Sequence, residues 1–325
     1  MPENNGNMKG LDVAEDFFLH WGIPALEEEF PDLLRRISAG RFSGSDVLRA
    51  DDDISKDHNW GPQFTLFLSQ DDFEKFATHL SQTMNEKAPP NWNGYRVDGA
   101  GDKNVLVENV PEWVEKHIGF AAFPQSDSDW NIVVRHRRLG GTVEARESAL
   151  YYLRYGALWL DNNEEFGRWR KVLEKYPDTV WYARLAEECF RMWQYGQYNF
   201  IQRISKRDDP LAVSLCLGEF VEGVMRMLLL LYRHYTPYWK WLAHEFRRVD
   251  RASHYAPLLE TLVNSDDRVQ QVNLVKQICD DIYQELLSIG VISKHGTHEQ
   301  HLYEIHLVNA QLELLDKVPW MPTIT

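Results

Sequence analysis

The hydrophobic pattern of the chain changes near residue 140, and this change constrains the fold more than any other feature. Before it, short apolar runs bounded by turn residues alternate with helical segments, whereas after it three-to-four spacing persists up to residue 315. Such spacing is typical of amphipathic helices. We therefore predict an α+β fold, in which a small mixed-sheet domain over residues 1–140 precedes an all-α helical-bundle domain over residues 141–325.

The expected strands all lie in the first part of the chain. Residues 63–68 are apolar and rich in β-formers, and residues 95–98 and 105–108 flank a Gly-Ala-Gly-Asp turn that predicts a hairpin. Residues 71–84 have helical spacing, with Ser69 as the N-cap. No strand is predicted beyond residue 140, and residues 144–160 are predicted to form one helix.

Composition excludes several classes of function. A formal charge of −14 argues against general affinity for nucleic acid or anionic membranes, although a small triphosphate remains compatible with it. The most apolar stretch, residues 211–235, contains Glu219, Glu222 and Arg226, which excludes an ordinary membrane span. Residues 1–9 are polar, so we expect no secretory signal.

The cysteines point to the compartment. Cys189, Cys216 and Cys279 are odd in number, widely spaced and placed in apolar helical segments. This pattern predicts buried free thiols rather than a disulfide framework or a zinc site. The expected location is therefore the cytoplasm.

A glycine-serine turn that leads into an alternating acidic segment is the most distinctive motif. Gly44 lets the backbone approach a phosphate without a Cβ in the way, and Ser45 offers a hydroxyl and an N–H. In Asp57-His58-Asn59, residues two apart on an expected strand share one face. Mg²⁺ bound through carboxylates and substrate phosphates needs such a pair. Asn59 brings an oxygen but no charge, which weakens the second ligand.

Each of these residues also fits a structural role. Asp57 fits a carboxylate that caps a turn, and Asn59 fits a hydrogen bonder in a disabled site. The acidic run at residues 51–53 is interpreted as a solvated face, because runs of like charge usually face water.

These residues together resemble the DNA polymerase β-like nucleotidyltransferase superfamily. More closely, the chain is similar to a family of bacterial nucleotidyltransferase-like proteins in which a small catalytic domain precedes a helical domain, a plan similar to that of kanamycin nucleotidyltransferase. The likeness covers most of the chain and rests on Gly44-Ser45, Asp51-Asp52-Asp53-Ile54-Ser55, Asp57-His58-Asn59-Trp60-Gly61-Pro62, Gly196-Gln197-Tyr198-Asn199 and Arg233-His234-Tyr235-Thr236-Pro237-Tyr238-Trp239-Lys240-Trp241. The chain departs from the family at Asn59, where Asp is usual, and at Leu48-Arg49, where a Gly is usual.

The resemblance implies transfer of a nucleoside monophosphate from a Mg²⁺-triphosphate, ATP first, to a hydroxyl of a small molecule or protein. Asp57 and Asn59 would be the catalytic metal ligands, and a third carboxylate would come from a neighbouring strand, at Glu108 or Asp98. The acceptor would lie against the helical domain. The alternative hypothesis is an inactive member of the same fold that binds a nucleotide or a partner.

Three residues of the helical part are further candidates for the site that the resemblance implies. Arg203 and Lys240 would contact the β- and γ-phosphates, although they also fit ordinary helix faces. Glu219 fits two roles: a general base that takes the acceptor's proton, or a structural ion pair with Arg226.

Two further clusters have a simpler interpretation. The basic run at residues 135–138 fits a solvated linker or a lip for the triphosphate, the linker being favoured. His295, His298, His301 and His306 have spacing that occurs in metal sites, but without a nearby cysteine or carboxylate a hydrated surface is favoured.

Overall fold

The structure is a computed structural model, and it describes residues 8–57, 60–97, 104–133, 142–293 and 305–320, with only the backbone described at 55, 57 and 142–145. The chain divides into two compact units. Unit 1 comprises Met1–Pro124 and Ala145–Glu174, and unit 2 comprises Gln125–Glu144 and Lys175–Thr325.

Unit 1 combines strands and helices, so the predicted α+β fold class is confirmed. Its strands are β1 (Ser38–Arg41), β2 (Phe64–Leu68), β3 (Asn91–Trp92), β4 (Tyr95–Arg96), β5 (Val105–Asn109) and β6 (Ala157–Asp161). Its helices are α1 (Gly10–Phe17), α2 (Ile23–Glu29), α3 (Pro31–Leu34), α4 (Gln70–Lys87), α5 (Val110–His117), most of α6 (Thr142–Tyr155) and α7 (Glu165–Val172), with a π-helix at Phe18–Gly22 and a 3-10 helix at Ile54–Asp57. Ser69 caps α4 through its hydroxyl, as predicted.

Four strands form one mixed sheet in the order β5-β2-β1-β6. β1 is antiparallel to β2 and β6, whereas β2 is parallel to β5. In this register Gly40 lies opposite Thr65, and Phe67 lies between Ser38 and Glu108. β3 and β4 form a separate two-stranded ribbon.

Apolar side chains cover both faces of the sheet. One face packs against α1, α2 and α4 through a buried cluster that includes Phe17, Phe18, Leu26, Ile37, Phe64, Leu66, Leu68, Leu80, Met84 and Val105. Phe67 alternates with its strand neighbours and therefore points to the other face. There Phe67 and Phe42 contact Phe166 with ring centroids 4.8 and 4.3 Å away. These rings fix the sheet between two apolar layers.

Two strand predictions are wrong. β6 lies beyond residue 140, within the predicted helix 144–160, and it pairs with β1. The predicted hairpin does not form either, because β4 pairs with β3 and β5 pairs with β2. β6 belongs to the sheet, and unit 1 accordingly includes residues 145–174.

Every element described in unit 2 is helical, as predicted for the second part of the chain. They are a 3-10 helix at Asp127–Val133, α8 (Asp178–Met192), a π-helix at Trp193–Ile201, a 3-10 helix at Ile204–Lys206, α9 (Pro210–Leu231), α10 (Trp239–Arg248), α11 (Asp250–Ser253), α12 (Ala256–Asn264), α13 (Arg268–Ser288) and α14 (His306–Asp316). α8 packs against α9 and α14, and the π-helix packs against α9 and α13. Asp209 caps α9 by accepting from two backbone N–H groups, those of Leu211 and Ala212.

The three cysteines are buried and free, which confirms the prediction for them. Burial raises the pKa of Cys216 to about 11, and its thiol donates to the carbonyl of Tyr195 over 2.9 Å. Within the described ranges, the helices all fall short of the length and hydropathy that crossing a membrane requires.

Candidate functional site

The glycine-serine turn directly follows the end of β1. Gly44 has a φ of 103°, a left-handed conformation that favours glycine. Arg41, the last residue of β1, holds the turn from behind: its Nε donates to Asp46 over 2.6 Å and its Nη1 donates to Gln63 over 3.1 Å. The turn is thereby fixed beside the start of β2.

Several hydrogen-bond donors of this turn have no acceptor within the described part of the chain. Among the residues that the structure describes, no acceptor bonds the backbone N–H of Gly44, Ser45 or Asp46, or the hydroxyl of Ser45. The turn is closed further on, where the N–H of Ala50 donates to the carbonyl of Ser45 over 3.1 Å. Successive free N–H groups in a turn form a concave site for an anion. The turn thus has the kind of donors that an anion site requires.

The carboxylate of Asp46 is part of the support rather than a ligand. It is fully buried, and burial raises its pKa although the Arg41 guanidinium opposes that shift. Its second oxygen accepts from the N–H of Val47 over 3.0 Å. Both carboxylate oxygens are therefore engaged within the turn.

The acidic run divides into one buried and two exposed carboxylates, so its interpretation as a solvated face is wrong for Asp51. Asp51 is 6% exposed and accepts from the N–H of Gly10 over 2.8 Å and from the Trp60 indole over 2.9 Å. Asp52 and Asp53 are exposed, and Asp53 pairs with Lys56 at 2.8 Å. Local sequence could not reveal this burial, because Gly10 lies 41 residues away.

The predicted strand at residues 57–59 is not confirmed for Asp57. Its backbone ends the 3-10 helix Ile54–Asp57, so the strand alternation that placed residues 57 and 59 on one face does not apply there. The side chain of Asp57 and the whole of Asn59 lie outside the described residues, as does Asp98. Their role as metal ligands stays a prediction.

The register of the sheet does not bring Glu108 to the turn. Glu108 lies level with Phe67, whereas the Gly44-Ser45 turn lies near Phe64 at the other end of β2. Three residues of strand span about 10 Å, and a Mg²⁺ ligand must lie within about 2.1 Å of the ion. Burial raises the pKa of Glu108, with Lys116 opposing the shift. Glu108 thus lies at the opposite end of β2 from the turn, and its role as the third carboxylate stays a prediction.

The described side chains contain no group of three or more His, Cys, Asp or Glu residues arranged to hold a metal ion. The predicted Mg²⁺ ligands Asp57 and Asn59 were not part of that set, because the side chain of Asp57 and the whole of Asn59 lie outside the described residues. The oxygen chemistry of those two residues suits Mg²⁺, and the free donors of the turn suit the phosphates that such an ion carries.

Glu219 lies in a charged cluster of unit 2, but its partner differs from the expected one. Arg191 donates to Glu219 from Nε and Nη2 over 2.9 and 2.6 Å, and also to Glu222 over 2.6 Å. Arg226 instead donates to Glu222 over 2.7 Å and to Thr236 over 2.8 Å. Glu219 is therefore held by Arg191 and not by Arg226.

The two arginines control the protonation of Glu222. Burial alone would raise its pKa, but hydrogen bonds and charge from Arg191 and Arg226 outweigh this and lower it to about 2. Glu222 is thus ionised at neutral pH, and it joins the two guanidinium groups. The side chain of Glu219 is 43% exposed, so one carboxylate of the cluster faces solvent.

The other predicted contacts of the helical part have the following positions. Arg203 lies 3.8 Å from the ring centre of Tyr198 and donates to its carbonyl over 2.7 Å. Lys240 is exposed, with its ammonium 4.9 Å from the ring centre of Trp241. These local contacts of Arg203 and Lys240 neither support nor contradict a contact with phosphate.

The remaining clusters are mostly outside the described residues. That applies to the basic run at 135–138 and to His295, His298 and His301. His306 is described: its Nε2 lies 3.1 Å from Asp280, and its ring lies 5.0 Å from that of Tyr283. His306 thus takes part in a local polar contact.

Comparison with known proteins gives a family model and similar solved structures. Residues 143–242 match the model of a protein family described as a domain of unknown function, DUF4037. The crystal structure of a nucleotidyltransferase-like protein from Exiguobacterium sibiricum 255-15 is 14% identical in sequence and aligns over 91% of this chain and 89% of that chain, with a TM-score of 0.34. That TM-score is too low to assign a fold or a role to any residue. No curated protein matches the chain.

Proposed function

We propose that this chain is a nucleotidyltransferase-like protein that binds a nucleoside triphosphate with Mg²⁺ and transfers the nucleoside monophosphate to a hydroxyl of an acceptor. The observation that carries the proposal is a set of donors at Gly44, Ser45 and Asp46 that bond no acceptor among the described residues, in a turn that buried Arg41 holds at the end of the sheet. The sequence resemblance supports the same assignment, because its strings begin at this turn.

In this proposal the turn binds phosphate oxygens through its N–H groups and the Ser45 hydroxyl. Asp57 and the amide oxygen of Asn59 would hold Mg²⁺, which neutralises charge on the phosphates and on the leaving pyrophosphate. Asp46 takes no part as a ligand, since both of its oxygens are engaged. ATP is the first nucleotide to test.

Glu219, Arg203 and Lys240 keep their proposed roles only on the basis of the resemblance. A carboxylate can act as a general base, but the carboxylate of Glu219 already accepts hydrogen bonds from Arg191. Arg203 and Lys240 carry the charge that a β- or γ-phosphate needs.

The second candidate is a member that binds nucleotide without transferring it. Two observations favour it: residue 59 is a neutral Asn, and Asp51 is committed to contacts with Gly10 and Trp60. Both reduce the negative charge available to a metal. Binding of the triphosphate would then survive without release of pyrophosphate.

Isothermal titration of ATP, with and without Mg²⁺, tests binding at the turn. We expect Mg²⁺ to strengthen binding, and we expect Ser45→Ala and Asp57→Asn to weaken it. Ser43→Ala is the matched control for Ser45, because Ser43 is exposed beside the same turn. If the folded protein binds no ATP in both conditions, with Mg²⁺ and without it, both candidates are excluded.

The Asn59→Asp variant then separates catalysis from binding. In the impaired-enzyme case the added carboxylate increases pyrophosphate release, because it restores charge to the second metal ligand. If the site is instead adapted to Asn59, the same substitution lowers the release of pyrophosphate. A variant that binds Mg²⁺-ATP but releases no pyrophosphate with any acceptor tested supports the binding-only candidate.

A further inference from the structure

The solvent face of α10 carries a charge opposite to that of the whole chain. Lys240, His244 and Arg247 follow one another at four- and three-residue spacing, which places them on one side of the helix. Lys240 and Arg247 are exposed, and so is Arg248 beside them. Seven residues of helix rise by about 10 Å, so the cations lie along a line rather than at one point.

Two exposed aromatic rings lie at the start of the same helix. Tyr238 and Trp239 are 44% and 59% exposed, and their ring centres are 5.6 Å apart. Large apolar groups that stay together at the surface often mark a binding site, and aromatic residues and arginine are enriched at interfaces.

We call the following residues the α10 surface: Tyr238, Trp239, Lys240, His244, Arg247 and Arg248.

Few acidic groups oppose the charge of the α10 surface. Residues 238–251 contain four Lys or Arg and two acidic residues, whereas the whole chain has 35 Lys or Arg against 49 acidic residues. Of the two acidic residues, Glu245 is buried and Asp250 is exposed. Arg247 pairs with Glu260 at 2.9 Å, but both side chains are about half exposed. Such a pair contributes little, so another anion can replace Glu260.

The apolar side of α10 is already covered by the protein. Leu242 and Phe246 are buried, and α10 packs against α9. A helix that lies in a membrane interface instead buries its apolar face in the lipid. The α10 surface thus offers a partner a row of cations and two rings, which favours a flexible polyanion with flat groups over a lipid surface.

We propose that the α10 surface binds single-stranded nucleic acid. Lys240, Arg247 and Arg248 contact phosphates along the strand, and bases stack on Tyr238 and Trp239. Cations that follow the backbone, combined with aromatic rings that stack with bases, are how proteins bind single strands without sequence preference. This inference does not rest on the proposed function, because neither a triphosphate nor a metal takes part.

The overall charge limits the strength of this binding. A formal charge of −14 opposes general affinity for nucleic acid, so binding is confined to the α10 surface and depends strongly on salt. We expect a dissociation constant of about 10 to 100 µM at physiological salt, as for binding without sequence preference. Fluorescence anisotropy of labelled oligo(dT) and oligo(U), each of about 12 nucleotides, measures it with the full chain. Absence of binding to both oligonucleotides, even at low salt, would overturn the inference and leave the proposed function untouched.

A double substitution tests the phosphate contacts. Lys240→Gln combined with Arg247→Gln should weaken binding by about tenfold or more. It should also reduce the slope of log K against log salt by about 1.4, because each phosphate contact with a single strand contributes about 0.7. The matched control is Lys206→Gln combined with Arg207→Gln, which removes two exposed cations before α9. The control should keep the affinity and the slope of the parent, and equal losses in the two double variants would overturn the inference.

Substitutions of Trp239 test the stacking. Trp239→Ala should weaken binding by about tenfold, the usual effect of losing one stacked base, whereas Trp239→Phe should keep most of the affinity because it keeps an aromatic face. Trp239 is exposed, so both variants should unfold at the parental urea concentration. If alanine and phenylalanine at this position give the same affinity, the ring does not stack with a base and the inference is wrong.

Unlabelled competitors separate nucleic acid from other anionic partners. Oligoglutamate and inorganic polyphosphate of similar length should displace the labelled strand less well than an oligonucleotide, because they carry no base. Equal displacement by oligoglutamate would assign the α10 surface to an acidic protein segment. Tighter binding to vesicles that contain phosphatidylserine would assign it to a membrane, and either result overturns the inference. A preference for oligo(U) or for oligo(dT) supports it and identifies the type of strand.

Discussion

The guanidinium of Arg41 donates to the carboxylate of Asp46 over 2.6 Å, and both side chains are almost completely buried. The pair connects the last residue of β1 to the turn that carries Gly44 and Ser45. Burial raises the pKa of Asp46, and the charge and hydrogen bond of Arg41 oppose that shift. A buried pair of this kind is sensitive to the loss of one partner.

We predict that Arg41→Met destabilises the protein by about 3–5 kcal/mol at pH 7, because it leaves a buried carboxylate without its counter-ion. Since the folded-state pKa of Asp46 is raised, protonation becomes easier in the folded variant, and its stability should recover as the pH falls towards the pKa. Urea unfolding at pH 7 and pH 5 measures this. The double variant Arg41→Met, Asp46→Asn is the control and should lose less stability than Arg41→Met alone.

A second prediction concerns glycine at the start of α1. Gly10→Ala should destabilise the protein by about 1–3 kcal/mol, because the new Cβ overlaps Trp60 and Asp46 in a packed site. Gly218→Ala is the matched control: a Cβ at Gly218, within α9, meets no atom within 4 Å. The control should stabilise by up to about 1 kcal/mol through helix propensity. Equal midpoints for the two variants in urea unfolding would contradict the close packing at Gly10.

The third prediction is a pH dependence that arises from Glu222. Its pKa is about 2 in the folded state, against an ordinary value of 4.5. The folded state therefore gains stability from Glu222 above pH 4.5 and loses that gain as the pH falls from 4.5 towards 2. We expect Glu222→Gln to destabilise by about 2 kcal/mol at pH 7, as for hydrogen bonds to charged groups, and by much less at pH 2.5.

Glu219→Gln is the control for Glu222. It removes a more exposed carboxylate that contacts only Arg191 of the two arginines. Its effect at pH 7 should be smaller, because exposed ion pairs contribute little. Thermal or urea unfolding measures both effects. If Glu219→Gln lowers the stability more than Glu222→Gln, the cluster is not organised around Glu222.

The fourth prediction concerns the end of α9. Arg233 has a φ of 61°, and the N–H groups of Arg233 and His234 bond the carbonyls of Leu230 and Leu229, each over 2.9 Å. This is the left-handed helix ending that usually contains glycine. The Arg233 side chain lies 3.4 Å from the ring centre of Trp181. Arginine therefore combines a strained backbone with a favourable stacking contact.

We expect Arg233→Ala to be less stable than Arg233→Gly by about 1 kcal/mol, because both lose the stacking on Trp181 and only alanine keeps the backbone strain. Thermal unfolding of the two variants measures the difference. The opposite order would mean that the left-handed conformation at residue 233 is not maintained in solution.

Much of the secondary structure follows from local pattern. The long amphipathic segments of unit 2 and the apolar strand β2 were predicted from spacing and β-propensity, which are properties of neighbouring residues. β6 was missed because Ala157–Asp161 is short and apolar and follows a helical pattern without a change of composition. Its pairing with β1, more than a hundred residues earlier, decides its conformation.

The candidate site was predictable only in part, for the same reason. The turn at Gly44 was recognised because it has a local signature, and Gly44 has the positive φ of such a turn. The burial of Asp51 depends on Gly10, and the partner of Glu219 is Arg191, 28 residues away. Contacts at such separation leave no periodic trace in a single sequence.

The late position of β6 sets the order in which a ribosome can complete the sheet. Until residue 161 has left the exit tunnel, one side of β1 has unpaired backbone groups and can attract other nascent chains. A truncated product that stops at residue 140 would keep this edge of β1 unpaired. A product that stops at residue 174 would include β6, which pairs with it. Recombinant production of the amino-terminal unit should therefore use the later stop codon.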